Sequence, residues 1–162
     1  NDANAFIGIT PGQYPNSQYV KTNGTLESGD GEVHIELNGT SPGQGSGLNT
    51  NSTFTYDSML QLTNQAAAKK DVWVEHSNID NTPPTYMGDE DVIIYPSGGQ
   101  ADNSSDVPDH SAANMETQSN AVTLAPGQSV FVGFYFDTTG ADQDDDLDNQ
   151  LFSTISVNAE DI

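Results

Sequence analysis

Cysteine is absent from this sequence, and so is arginine. Without cysteine there is no disulfide scaffold, no thiolate metal site and no cysteine nucleophile. The only side-chain cations besides histidine are Lys21, Lys69 and Lys70, set against 24 acidic residues, for a formal net charge of -21. Phosphate recognition needs Lys and Arg, so this balance argues against nucleic acid as a partner. It also opposes docking on anionic lipid. No apolar run reaches the ~18 residues that would span a bilayer, so membrane insertion is not expected. The start at Asn1-Asp2, without Met or a leader pattern, is expected of a processed mature chain.

Apolar residues are scarce as well, at 33% of the chain, and mean hydropathy is -0.56. Low hydrophobicity with high net charge is a signature of disorder when the apolar residues are evenly diluted. Here they gather into short alternating runs separated by turn residues, the pattern of folded β proteins. The charge then points to a working environment. Self-repulsion destabilises a compact acidic chain in dilute buffer. At 1 M salt the Debye length is only about 3 Å, so the repulsion is screened while the carboxylates stay hydrated. A protein adapted to high salt is the expectation.

The stretch SVFVGFYFD (129–137) is the most apolar in the chain. Val130, Val132, Phe134 and Phe136 share one face of an extended strand, and Phe131 and Tyr135 share the other, with Gly133 between them. A half-exposed strand needs only one apolar face, so something must cover the second. Further strands are expected at 32–37, with Val33, Ile35 and Leu37 inward, and at 53–64, with Phe54, Tyr56, Leu60 and Leu62 inward. Strands also fit 71–77, with Val72 and Val74 inward, 91–96, 121–124, and 151–160, with Leu151, Ile155, Val157 and Ala159 inward. ANAFIGIT and SQYVK are weaker strands. Residues 64–70 have helical composition but read better as a hairpin loop. Pro126-Gly127 marks a turn. Residues 96–120 form a polar connection with room for a short helix near Ala112, and 138–150 form an acidic loop. The sum is a single all-β domain over 1–162, an antiparallel jelly-roll-like β-sandwich of about eight or nine short strands.

Chemistry-bearing patterns are few. His34, His76 and His110 make no zinc-ligand spacing, and they read as solvated histidines. No nucleophile elbow or phosphate loop occurs, so a non-enzymatic role is expected. Asp142, Asp144, Asp145, Asp146 and Asp148 offer oxygen ligands of the kind Ca2+ or Mg2+ takes, but the EF-hand glycine and closing glutamate are missing, and in so acidic a chain a solvated charge run is the better reading. Four Asn-x-Ser/Thr sequons, at Asn23, Asn38, Asn51 and Asn103, fall in turns or loops and are candidates for N-linked glycans.

Several stretches together carry a family resemblance. SMLQLTNQAAAKKDVWVEH, VTLAPGQSVFVGFYFDTTG and LFSTISVNAED, with NDANAFIGI near the start, resemble secreted haloarchaeal proteins related to TasA and camelysin, and archaeal bundling pilins. The resemblance implies an extracellular filament subunit that polymerises with copies of itself by donor-strand complementation, in cell-cell adhesion or a biofilm matrix. The donor would be residues 1–10, with Ala3, Ala5, Ile7 and Ile9 facing one way and Phe6 the other, pairing near 129–137 or 151–160 of a neighbour. Relatives usually carry a Val-alternating strand upstream of the segment matching Asp2 to Ile9; the resemblance implies either that processing removed it here or that the present N-terminus does its job. The alternative is a monomeric extracellular surface-associated or carbohydrate-binding module.

Overall fold

The computed structural model describes residues 6–22, 33–35, 37, 51–77, 92–99, 114–139 and 154–162. Nine strands run among them: β1 (Ile7–Pro11), β2 (Val20–Thr22), β3 (Val33–Ile35), β4 (Thr53–Asn64), β5 (Lys70–Ser77), β6 (Val92–Gly99), β7 (Val122–Leu124), β8 (Ser129–Asp137) and β9 (Thr154–Asp161). All pairings are antiparallel. One sheet has the order β1-β4-β8-β6, the other β7-β5-β9, and β2-β3 forms a separate ribbon. The protein is an antiparallel β-sandwich; its described residues include no α-helix, only 3-10 turns at Asn16–Tyr19 and Gln118–Asn120.

Alternation puts the core where the sequence pattern expects it. Leu60, Leu62, Val130, Val132, Phe134 and Phe136 of the first sheet meet Val72, Val74 and Leu124 of the second in one cluster. Val33, Ile35 and Leu37 pack against that cluster half-buried. The ribbon enters through Val20, and Tyr19 meets Tyr56 edge-on at 5.3 Å between ring centroids. Ile155 and Val157 also pack inward, whereas Ala159, expected beside them, is exposed.

From β4 to β9 successive strands lie in alternate sheets, a jelly-roll-like winding made of arches. The hairpin expected at 64–70 is therefore an arch: β4 and β5 belong to different sheets, and residues 65–69 carry the chain between them. Short polar loops look alike in a hairpin and an arch, because the difference lies in which strand each edge finally meets. β6 also runs past Pro96 to Gly99, where a loop was expected. Proline cannot donate to a ladder but is tolerated at a sheet edge, and β6 is an edge strand. Ala112 lies outside the described residues.

The second apolar face of β8 is covered in part by the chain itself. β4 and β6 both flank β8, and both bulge near Gly133, between Tyr56 and Leu60 and between Pro96 and Gly98. Tyr95 pairs with Gly133 in register, and its fully buried ring occupies the space a side chain there would need. The Tyr95 hydroxyl donates to Asp57 Oδ1 of β4. Ser58, in left-handed geometry (φ 52°), donates its N–H to Ser97 Oγ at 2.7 Å. Two strands that do not neighbour each other are thus joined across the top of the strand between them. Phe131 and Tyr135 are left half-buried on the same face.

A candidate assembly edge and its latch

The local chemistry at one end of the sandwich follows from two short motifs. In Ala125-Pro126-Gly127-Gln128 the Gln128 N–H donates to Ala125 C=O at 2.9 Å, and Gly127 has φ +76. That is a type II turn, which favours proline at its second position and needs positive φ at its third. The turn delivers Gln128 to Asn64, the last residue of β4. Asn64 is fully buried, and a buried amide must be satisfied. Its N–H donates to Gln128 C=O at 2.9 Å, and its own carbonyl accepts from Gly127 N–H at 2.8 Å. Its side-chain amide donates to the Ala68 and Leu124 carbonyls, each at 2.9 Å, and its Oδ1 accepts from Ala66 N–H at 2.9 Å. Asn64 therefore knots the β4–β5 arch to the β7–β8 arch.

The N-terminal strand is tied to this knot. β1 lies on the edge of β4 in the register Ile7 to Asn64, Ile9 to Leu62 and Pro11 to Leu60. Ile7 and Ile9 pack half-buried on the core, while Phe6 is 49% exposed. Gln65 N–H donates to Phe6 C=O at 2.7 Å. The Lys70 ammonium sits 4.0 Å from the centroid of the Phe6 ring and pairs with Asp161, which faces it in the β5–β9 register. Lys70 is 4% exposed, although lysine is rarely buried without a partner. One of only three lysines thus closes a latch between the first and last described strands.

Of the expected donor residues, Ile7 and Ile9 lie in β1 and pack half-buried on the core, Phe6 precedes the strand and is exposed, and Ala3 and Ala5 lie outside the described residues. Within a single chain β1 pairs with β4, not with 129–137 or 151–160. Sequence reasoning missed Lys70, Asn64 and Asp161. The signal was present in LTNQAAAKK: Lys70 shares its strand parity with Val72 and Val74 and so points inward.

His76 follows the same parity and corrects an expectation. It lies on the inward face of β5, and its Nε2 is 3.1 Å from Glu116 Oε1, with the imidazole 13% exposed. It is a paired, not a solvated, histidine. The next residue back, Met115, is fully buried. Its N–H donates to Ile94 C=O at 2.9 Å and its carbonyl accepts from Val74 N–H at 2.8 Å, so a single residue stitches β6 to β5 between the sheets. His34 lies in β3 opposite Lys21, and His110 is outside the described residues.

Of the sequons, Asn51 is described: it is exposed, has φ 53, and its N–H donates to Thr138 C=O at 2.9 Å. It sits at the end of β4 away from β1, so a glycan there would leave the β1 edge clear. Asn23, Asn38 and Asn103, and the acidic run containing Asp142, Asp144, Asp146 and Asp148, lie outside the described residues. Among the described residues no group of three His, Cys, Asp or Glu could hold a metal ion, and no helix is long and apolar enough to cross a membrane.

The family described as "Protein of unknown function (DUF1102)" matches residues 1–159, nearly the whole chain. The chain belongs to the DUF1102 family. The match takes in both arches, β1 and Lys70 and ends two residues short of Asp161, so the knot at Asn64 lies within the family's own span. No curated protein matches the sequence.

Proposed function

We propose that this DUF1102 protein is a non-catalytic structural subunit of an extracellular filament, built by exchange of its N-terminal strand between copies, in cell-cell adhesion or a biofilm matrix. The observation that carries the reading is the placement of β1. It is a short strand whose ladder partner, among the described residues, is β4 alone, at the edge of their sheet. An edge strand that leaves exposes a row of unpaired backbone groups, and the same strand from a second copy satisfies them by strand addition. The resemblance to TasA-like proteins and archaeal bundling pilins supports the same reading. N-linked glycans at the four sequons and a high-salt habitat belong to the proposal.

The test uses the absence of cysteine. Thr10 and Gln61 are register partners on the outer face of β1 and β4. Cysteines placed at both positions fall within the reach of a disulfide. Filaments grown at high salt and oxidised should give a ladder of covalent oligomers on a non-reducing gel. Filaments that yield only internally bridged monomers would show that another segment is the donor. Particles that remain monodisperse by negative stain at every salt and protein concentration would overturn the filament reading.

A further inference from the structure

Among the described residues, the outer face of the β7-β5-β9 sheet is polar around a single aromatic residue. On β5 the outward residues are Asp71, Trp73 and Glu75, alternating with the buried Val72 and Val74. Across the β5–β9 register they stand opposite Glu160, Asn158 and Ser156. Trp73 is half-buried there, at the centre of the strip. Its indole N–H donates to Glu75 Oε1, two residues along the strand, at 2.9 Å, which restrains the ring. Asp71 is held in the same way by Thr123 of β7, whose hydroxyl donates to Oδ1 at 2.6 Å, and Glu160 accepts from the Gln118 amide.

We propose that this strip is a binding platform for a neutral saccharide chain. A pyranose ring carries a patch of C–H groups on its faces and hydroxyls around its rim. The indole supplies an apolar surface for the first. The carboxylates of Asp71, Glu75 and Glu160 accept from hydroxyls, and the Asn158 amide both donates and accepts. Orientation by existing hydrogen bonds reduces the ordering cost of binding. The strip has three strands at about 4.8 Å spacing, a width suited to one chain. The outward residues named here include no lysine or arginine that could pair with a sulfated or carboxylated glycan, which leaves the neutral ones. A protein partner would need an apolar centre within an area of about 800 Å², and one tryptophan among polar groups does not provide it. The platform lies on the sheet opposite the β1–β4 edge, so it stands independently of the filament proposal.

Trp73 is the only tryptophan in the chain, so intrinsic fluorescence reports this strip alone. The folded protein would be titrated at about 2 M NaCl, where charge is screened, with cellohexaose, maltohexaose, mannohexaose and chitohexaose. A saturable change in emission with at least one of them is expected. Asn158→Ala and Glu160→Gln, both on the surface and outside the core, should weaken it by about tenfold, or about 1.4 kcal/mol each. Their unchanged melting temperature shows that the fold is kept. No response to any of the four up to about 10 mM, a range that captures even weak binding, overturns the proposal. An equal response in both variants overturns it too, as does a response to hexalysine with none to the saccharides.

Discussion

Gly133 should not tolerate a single added methyl group. Replacing glycine by alanine in a strand normally stabilises a protein by about 0.4–1 kcal/mol, through the unfolded chain. Here a Cβ would meet Tyr95 Cζ at 2.5 Å, its hydroxyl oxygen at 2.7 Å and Cε2 at 2.8 Å. The ring cannot swing into solvent cheaply, because Tyr95 is fully buried and its hydroxyl is bonded to Asp57. Overpacking costs about 1–3 kcal/mol, and losing a hydrogen bond to a charged group costs about 1.5–3 kcal/mol. Their partial sum predicts a net loss of about 2–4 kcal/mol for Gly133→Ala. For a chain of this length the melting temperature should fall on the order of 10 °C. Chemical denaturation at fixed high salt measures the change directly. The mechanism is tested by a double-mutant cycle: in a Tyr95→Ala background the added methyl enters vacated space, so its cost should vanish and the coupling should equal that cost, about 2–4 kcal/mol. Gly133→Ala at or above wild-type stability would refute the reasoning.

Three more expectations follow from the charges and the latch. The isolated chain should lose stability below about 0.5 M salt as screening weakens; a melting temperature that stays flat from about 0.1 to about 3 M would overturn the halophilic reading. Burial, then the Asp57 hydrogen bond and the Asp57 charge, push the Tyr95 hydroxyl above its ordinary value of 10.0, and burial with the neighbouring Tyr19 raises Tyr56. The folded chain therefore keeps protons that the unfolded chain releases. Stability should be full below about pH 10 and fall above it, by up to about 1.4 kcal/mol per pH unit from Tyr95, and Tyr95→Phe should flatten that slope in alkaline denaturation curves. Lys70→Glu would set a buried carboxylate beside Asp161 and should cost about 3–5 kcal/mol, whereas Lys70→Met, which keeps the stem, should lie close to wild type by urea denaturation.

Much of the fold was legible because alternation is a local property. Val72, Val74, Leu60, Leu62 and the four inward residues of 129–137 could be assigned to the core from their spacing alone. Sheet partnership was not legible. Nothing between Asn64 and Lys70 says whether the chain turns back beside β4 or arches over to the other sheet, since the deciding contact, Asn64 to Gln128 and Leu124, joins residues sixty apart or more. The inward polar groups were hidden for a related reason. Lys70 and His76 share the parity of Val72 and Val74, but a polar side chain at an inward position is stable only with a partner, and theirs, Asp161 and Glu116, are remote in sequence. The cover over Gly133 was hidden because it needs two bulges, in β4 and β6, to meet across β8.

The latch bears on how strand exchange would be controlled. If β1 passes to a neighbour in the register seen here, Ile7 and Ile9 find the same partners on β4, and the incoming Phe6 ring meets the same Lys70 beside the same Asp161. Closed and exchanged forms then share nearly all their contacts, so those contacts cannot decide between them. What differs is the cost of joining two bodies, on the order of 4–15 kcal/mol before any new contact forms, and the repulsion between subunits that each carry a formal charge of -21. High salt removes most of the second cost and leaves the first, which falls with protein concentration. Contacts beyond β1, between surfaces that meet only in the polymer, must offset the remainder. Salt would thus act twice on this chain, once by letting each subunit stay compact and once by letting compact subunits approach.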